Sequence, residues 1–179
     1  VSNYSLRKWQ HSEELLGGPV MTNQVRYHLL DRSSEQEILP YAEQADRFVI
    51  AYSPIAQGLF SGRYTPEQPP RGVRITNPLF TPSNLKNSWP LVDLLREIGK
   101  DHRSEPSQIA LAWLLRSSNV LVIPGAKTVR QLESNAAAAD IVLSESEISA
   151  LTFAAENVGR ITILNNIPTV SYTHLRAHE

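Results

Sequence analysis

The sequence predicts an α/β fold in which parallel strands alternate with helices. Two apolar runs, Phe48–Tyr52 and Val120–Ile123, lack the polar alternation of a strand with one wet face. Such runs are typical of strands that are buried on both faces in a parallel sheet flanked by helices. Helix-start signals separate the runs along the chain. We count three strands and the end of a fourth, whereas a closed eight-stranded barrel needs about 250 residues. The count therefore predicts the C-terminal half of a (β/α)8 TIM barrel with outer helices.

The first part of the chain alternates strand and helix signals. Val1-Ser2-Asn3 has the character of a strand end, and because no initiator Met precedes it we expect earlier strands to be absent from this chain. A helix is predicted over residues 5–16, because glycine and then proline follow it. A short strand is predicted at 19–25. The capping-box pattern Ser34-Glu35-Gln36-Glu37 then predicts a helix that ends at Ala45, just before the first apolar run.

The second part of the chain begins with a long loop and continues mainly as helices. Residues 58–90 are rich in Pro, Gly, Asn and Thr and are predicted to be a loop over one end of the domain. Helices are predicted at about 89–102, 106–116, 128–139 and 144–158, the last two from capping-box patterns that start at Thr128 and Ser144. We assign residues 1–158 to one domain and 159–179 to an irregular tail. From Thr169 onward the tail does not fit the fold, and we interpret it as non-native.

Composition limits the classes of function. The chain has 41% hydrophobic and 20% charged residues and a net charge of −1, so it has no bulk attraction to nucleic acid or to an anionic membrane. No apolar run reaches the roughly 18 residues that span a bilayer. The lack of cysteine excludes disulfides and thiol catalysis, and we expect a reducing, cytoplasmic location. His11, His28 and His102 have no metal-ligand spacing, so no metal site is predicted.

Three loops follow predicted strand ends, where parallel α/β folds bind their ligands. They contain Ser2 and Asn3, residues 52–58 with Arg63 close behind, and residues 123–128. In the third loop Lys127 precedes a helix start whose N–H groups and dipole suit an anion such as phosphate; an ordinary capped loop is the alternative. The ring of Tyr52 either covers a flat ligand ring or packs in the core. The Gln24 amide is either a hydrogen-bonding group for a ligand amide or a satisfied buried side chain.

Taken together, these loops resemble the C-terminal half of the aldo-keto reductases. The variant is similar to the branch that includes bacterial reductases and the potassium-channel β subunits. The resemblance implies a (β/α)8 barrel that binds NADPH, with NADH less favoured, in an extended pose and without a Rossmann motif. The matching stretches occur in the family's order and are Val1-Ser2-Asn3, Asn23-Gln24-Val25, Ala51-Tyr52-Ser53-Pro54-Ile55-Ala56-Gln57-Gly58, Gly62-Arg63-Tyr64, and Ile123-Pro124-Gly125-Ala126-Lys127 with Gln131 and Asn135.

The resemblance also implies the cofactor-binding residues. Ser2, Asn3 and Gln24 match positions that hydrogen-bond the nicotinamide carboxamide, and Tyr52 matches the aromatic residue that stacks on the nicotinamide. The segment that holds the pyrophosphate is matched by Ser53, Pro54, Ile55, Ala56, Gln57 and Gly58, and Arg63 stands where the family usually has Lys. The site of the 2′-phosphate and adenine is matched by Gly125, Lys127, Gln131 and Asn135. Ser134 replaces a common acidic residue and Gln131 an Arg, so preference for NADPH depends on Lys127 and Arg130.

The family's acid–base tetrad of Asp, Tyr, Lys and His is expected in the half that would precede Val1. No catalytic residue is therefore assigned within this chain. The resemblance implies a parent enzyme that reduces aldehydes or ketones to alcohols with NADPH, and we expect the fragment alone to be inactive because it lacks a general acid. The alternative is an NADPH-binding regulatory subunit similar to the potassium-channel β subunits. The sequence does not specify an oligomeric state.

Overall fold

The computed structural model describes residues 1–72 and 76–158 and has the predicted parallel α/β architecture. The strands are β1 (Thr22–Arg26), β2 (Phe48–Tyr52) and β3 (Val120–Ile123). The helices are α1 (Leu6–Leu16), α2 (Ile38–Gln44), α3 (Pro82–Asp101), α4 (Pro106–Leu115), α5 (Val129–Ala137) and α6 (Glu145–Asn157). The two apolar runs of the sequence form β2 and β3 with the predicted bounds. The predicted tail, residues 159–179, lies outside the described residues.

The three strands form one parallel sheet in the order β1-β2-β3. Arg26 is the register partner of Tyr52, and Tyr52 is the partner of Ile123, so the three strands end in line. Beside β1 runs the segment Val1–Asn3, where the Gln24 amide donates to the Val1 carbonyl at 2.9 Å and the Asn3 amide to the Gln24 carbonyl at 2.8 Å. The predicted strand end at Val1-Ser2-Asn3 is therefore confirmed. Four segments of the chain reach the same edge of the sheet.

Helices cover only one face of this sheet. The covered face carries Asn23, Val25, Val49, Ala51 and Val120, all of which are buried. We call the opposite face the open face; it carries Gln24, Arg26, Ile50, Tyr52, Leu121 and Ile123. Leu121 is 46% and Ile123 is 47% exposed, so the prediction that these strands are buried on both faces is wrong for this chain. The physical reason is that no described element packs over the open face.

The core lies between the covered face and the helices. α4 packs against β3 and α3, and the side chains from Ile109 to Leu114 are all buried. Trp113, at 0% exposure, donates from its indole Nε1 to the hydroxyl of Thr152 at 3.2 Å. The guanidinium of Arg116 lies 3.7 Å from the centre of the same ring system. α4 thus links the sheet to the outer helices through one apolar cluster.

The predicted capping box at Ser34-Glu35-Gln36-Glu37 does not form. Residues Ser33–Glu35 make a short 3-10 turn, and α2 begins only at Ile38. Ser34 is 5% exposed and its hydroxyl has no hydrogen-bond partner among the described residues, so it cannot cap a helix start. The Glu35 carboxylate is bound instead by Arg32 at 2.7 Å and by Arg116 at 2.9 Å. A local ion pair with Arg32 and a tertiary one with Arg116 therefore take the place of the predicted cap.

The long loop is shorter than predicted, because α3 begins at Pro82 rather than near Trp89. Thr81 caps the helix by accepting a hydrogen bond from the Asn84 amide at 3.3 Å, and Pro82 occupies the first turn, where its missing N–H costs little. Pro90 lies inside the helix, a position that normally breaks an α-helix. The proline-rich composition therefore indicated loop where packing of Leu85, Leu91 and neighbouring side chains supports helix.

Other predicted helix boundaries are confirmed. Ser5 caps α1, and Gly17 ends it in the left-handed conformation with φ of 63°, which glycine adopts without strain. The capping box of Ser144 and Glu147 forms at the start of α6. Pro106 lies in the first turn of α4. Among the described residues, none of the helices is long and apolar enough to cross a membrane.

Candidate functional site

An open cleft of about 320 Å³ lies at the carboxyl ends of the Val1–Asn3 segment, β1 and β2. Two residues of the predicted site, Asn3 and Tyr52, line it from different segments. Tyr52 is half-buried and lies on the open face, so it is not a core residue. The other residues that line the cleft are Tyr4, Ser5, Val25, Arg26, Asp31, Ser33, Ser34 and Ile38. An aromatic ring and an amide side chain thus face one cavity.

Ser2, Asn3 and Gln24 form one polar group at this edge. Ser2 pairs with Gln24 in a parallel bridge, and its hydroxyl donates to the Gln24 carbonyl at 3.4 Å. The Asn3 side-chain amide donates to the Ser2 hydroxyl at 3.4 Å. The Gln24 side chain is half-buried, and its amide has no hydrogen-bond partner among the described residues. Of the two alternatives for Gln24, the satisfied buried side chain is therefore wrong, because the side-chain amide has no described partner.

The loop after β2 has an unusual backbone. Ser53, Ala56 and Gln57 have positive φ angles of 52°, 47° and 56°, and Gly58 follows with φ of 99°. The Ala56 amide donates to the Ser53 carbonyl at 2.9 Å, which holds the first of these turns closed. Non-glycine residues in this conformation cost about 1 kcal/mol or more each, and they concentrate at ligand-binding sites. Successive turns of this kind form concave backbone that suits an anion.

Part of the segment predicted as a long loop holds this loop in place. The Asn77 side-chain amide donates to Gln57 Oε1 at 2.5 Å, and the Ser61 hydroxyl donates to the Gly58 carbonyl at 2.6 Å. Pro54 and Ala56 are buried, Ile55 is half-buried, and Arg63 is exposed. The sequence around Asn77 carries only the composition of a loop, so the sequence did not predict the contact of Asn77 with Gln57.

The start of α5 is exposed to solvent. Thr128 Oγ1 accepts from the Gln131 amide at 3.2 Å, as predicted, but Gln131 Oε1 accepts from the Lys127 amide at 2.7 Å instead of from Thr128. The amides of Val129 and Arg130 bind no described residue. The ammonium of Lys127 is exposed and forms no ion pair with a described residue, whereas Arg130 pairs with Glu105 at 3.1 Å.

Gly125 is exposed, and nothing lies within 4 Å of the position that a side chain would take there. Asn135 is half-buried and follows Gln131 by four residues, so both lie on one side of α5. Because Tyr52 and Ile123 are register partners, the loop after β2 and the loop before α5 leave the sheet side by side. The predicted residues of all three loops are thus brought to one sheet edge.

The sequence reasoning missed Arg26 and Asp31, which line the cleft beside Tyr52. Arg26 Nε donates to Asp31 Oδ2 at 2.5 Å. The period of two along a strand would have placed Arg26 on the face of Gln24. No group of three or more metal-binding side chains occurs in the part of the chain that the structure describes.

Comparison with known proteins identifies the family. The sequence pattern of the Aldo/keto reductase family matches residues 1–156. The chain belongs to this family. An uncharacterised oxidoreductase of Mycobacterium tuberculosis is 50% identical over 155 residues, which are 87% of this chain and 48% of that protein. The NADH-specific methylglyoxal reductase of Escherichia coli is 30% identical over 149 residues, which are 83% of this chain and 46% of that protein.

A solved structure agrees with the family assignment. The aldo-keto reductase from Klebsiella pneumoniae in complex with NADPH superposes with a TM-score of 0.62 and 29% identity, over 91% of this chain and 49% of that one. The fold is therefore that of about half of a (β/α)8 aldo-keto reductase barrel, as predicted. The chain spans about half the length of the curated relatives it matches.

Proposed function

We propose that this chain forms the NADPH-binding half of an aldo-keto reductase whose complete protein reduces small aldehydes or ketones to alcohols. The observation that carries the proposal is the meeting of Asn3, Tyr52 and the Lys127 loop at one edge of the sheet. The half-exposed ring of Tyr52 and the Gln24 side-chain amide, which has no described partner, suit a nicotinamide. The exposed start of α5 suits phosphates at the other end of the cofactor. When bound, the cofactor supplies hydride.

At the nicotinamide end, the chain's own groups orient a flat ring. Tyr52 offers a ring face beside the cleft, and stacking of this kind favours offset ring contacts. The Asn3 and Gln24 side chains each carry a donor and an acceptor, which complement both groups of a carboxamide. The Ser2 hydroxyl accepts from the Asn3 side-chain amide and donates to the Gln24 backbone carbonyl. These residues would fix which face of the nicotinamide points away from the sheet.

At the phosphate end, the strained loop from Ser53 to Gly58 offers a concave backbone for the pyrophosphate. Lys127 and the free amides of Val129 and Arg130 then suit a 2′-phosphate. Since one relative is named as NADH-specific, preference for NADPH needs its own test. We propose that the charge of Lys127 decides it, because Arg130 is already paired with Glu105.

The proposal is tested by titrating the 179-residue chain with NADPH and then NADH, with nicotinamide fluorescence as the readout. We expect saturable binding of both, with NADPH tighter. Lys127→Gln should weaken NADPH about tenfold and leave NADH unchanged. The matched control is Arg130→Gln, which should have the smaller effect on NADPH. No saturable binding of either dinucleotide would overturn the proposal.

A second part of the proposal concerns turnover. We assign no described residue to proton donation, so we expect the chain alone not to reduce 4-nitrobenzaldehyde under conditions in which a full-length relative does. Reduction at the rate of such a relative would show that this part is wrong. The proposal includes a small carbonyl substrate, a cytoplasmic location, and no nucleic-acid or membrane partner.

One observation favours the alternative of a regulatory NADPH-binding subunit. Val129 and Leu132 on α5 are 70% and 61% exposed, and Phe153 on α6 is 67% exposed. Apolar side chains at such exposure are suited to a protein partner. An activity assay of the complete protein distinguishes the two functions. An enzyme reduces aldehydes with NADPH at a high rate, whereas a regulatory subunit binds NADPH but reduces aldehydes only slowly.

A further inference from the structure

The guanidinium of Arg26 lies beside the proposed nicotinamide site and has no part in the cofactor binding described above. Arg26 is the register partner of Tyr52, so both side chains leave the open face of the sheet next to each other. Both also line the cleft of about 320 Å³, together with Asn3. A charged group therefore lines the same cleft as the proposed nicotinamide-binding residues Tyr52 and Asn3.

The guanidinium of Arg26 is hydrogen-bonded through its Nε alone among the described residues. Its Nε donates to Asp31 Oδ2 at 2.5 Å, and its side chain is 31% exposed. The two terminal NH2 groups of the guanidinium form no hydrogen bond with any described residue. An arginine that served the ion pair alone would be expected to offer its paired N–H groups to the carboxylate. In Arg26 the two terminal NH2 groups instead remain without a described partner beside the cleft.

Asp31 is fixed as the partner that positions this arginine. The hydroxyl of Ser33 donates to Asp31 Oδ1 at 2.8 Å, and the Asp31 side chain is 14% exposed. Burial raises the pKa of the Asp31 carboxyl, but the hydrogen bonds from Arg26 and Ser33 outweigh burial and the pKa is lowered overall. Asp31 is therefore a carboxylate at neutral pH and anchors Arg26 by charge as well as by hydrogen bonding.

The free edge of a guanidinium is a planar fork that matches the two oxygens of a carboxylate. We propose that Arg26 binds a carboxylate on the carbonyl substrate, so that the substrate class is the oxo acids, that is, aldehydes or ketones that carry a carboxylate. This inference rests on the proposed function for the position of the reacting carbonyl. The contact of Arg26 with a carboxylate can be measured without the cofactor.

The experiment compares two ligands of nearly equal shape. 4-Carboxybenzaldehyde carries a carboxylate, and 4-nitrobenzaldehyde carries a neutral planar group in the same place. Calorimetric titration of the 179-residue chain, with and without saturating NADP+, should give a Kd about tenfold lower for the carboxylate. Arg26→Gln should make the two ligands bind equally, and Arg26→Lys, which keeps the charge but loses the fork, should give an intermediate preference. The control Arg7→Gln, on the exposed side of α1, should keep the full preference.

Each outcome has one meaning. Equal binding of the two ligands to the unchanged chain, or an unchanged preference in Arg26→Gln, would show that the arginine serves the ion pair with Asp31 alone and would overturn the inference. If Arg26→Gln does not fold, as judged by circular dichroism, Arg26→Lys carries the test, and a full preference there would contradict the fork. Failure to bind NADPH would refute the proposed function, while a carboxylate preference without cofactor would still support the role of Arg26.

Discussion

The two faces of the sheet are built from the same strands but differ in what their side chains do. On the covered face, Val49 and Ala51 are fully buried under helices. On the open face, their strand neighbours Ile50 and Tyr52 are only half-buried, and Tyr52 lines a cleft. Alternation along a strand thus separates residues that stabilise the fold from residues that are free to bind a ligand. Substitutions on the covered face should therefore lower the free energy of unfolding, whereas substitutions on the open face should weaken ligand binding.

The largest expected effect lies on the covered side, at Trp113. Trp113→Ala removes a fully buried ring and its hydrogen bond to Thr152, so the free energy of unfolding should fall by about 3–5 kcal/mol. Urea denaturation measures it. The matched control is Trp89→Ala, because Trp89 is only partly buried and should cost less than half as much. Equal losses in the two variants would mean that burial does not set the difference.

A matched pair within the sheet compares the two faces directly. Val49→Thr keeps the side-chain shape but buries a hydroxyl, so we expect a loss of about 1–3 kcal/mol. Ile123→Thr changes a side chain that is 47% exposed and should stay within about 0.5 kcal/mol. The midpoint of thermal unfolding checks both variants. A large loss from Ile123→Thr would show that the open face is covered in solution.

A buried histidine just beyond the end of β1, His28, predicts a dependence of stability on pH. His28 is 1% exposed, its Nδ1 accepts from the Leu30 amide at 3.2 Å, and burial lowers the pKa of its imidazole to about 4. The unfolded chain binds this proton near the ordinary pKa of about 6.5, so stability is full above that value and is lost as the pH falls toward 4.

The pH dependence due to His28 is limited because a single proton is bound on unfolding. The free energy of unfolding should fall by at most about 1.4 kcal/mol per pH unit between pH 6.5 and 5, measured by urea denaturation at each pH. His28→Gln should remove that part of the slope. His11→Gln alters a side chain that is 65% exposed and should keep it. An unchanged slope in His28→Gln would assign the pH dependence to other groups.

How much the sequence predicted differs between local and tertiary signals. The elements predicted correctly depend on signals that act within a few residues. Apolar runs predicted β2 and β3, a glycine predicted the end of α1, and a Ser/Glu pair predicted the cap of α6. The predicted cap at Ser34 was wrong because Glu35 is bound by Arg116, which follows α4, and by Arg32 three residues before it. A local pattern does not contain the contact with Arg116, which lies 81 residues further along the chain.

The candidate site shows the same division. The resemblance pointed to Asn3, Gln24 and Tyr52, and the structure brings these residues to one sheet edge. It did not point to Arg26 or Asn77, because their roles depend on neighbours distant in sequence. The exposure of Leu121 could not be predicted either, since an apolar run carries no information on whether a second layer is present.

The smallest expected effect on stability, and the sharpest test of the open face, is at Tyr52. Tyr52→Leu should change the free energy of unfolding by no more than about 0.5 kcal/mol, because the side chain is half-exposed and lines a cleft. It should nevertheless weaken NADPH binding about tenfold in a fluorescence titration, because the stacking ring is lost. Tyr52→Phe keeps the ring and should retain the affinity. A large loss of stability in Tyr52→Leu, with unchanged NADPH affinity of the protein that remains folded, would contradict this prediction. Tyr52 would then stabilise the fold as the residues of the covered face do, and the division of roles between the two faces of the sheet would not hold.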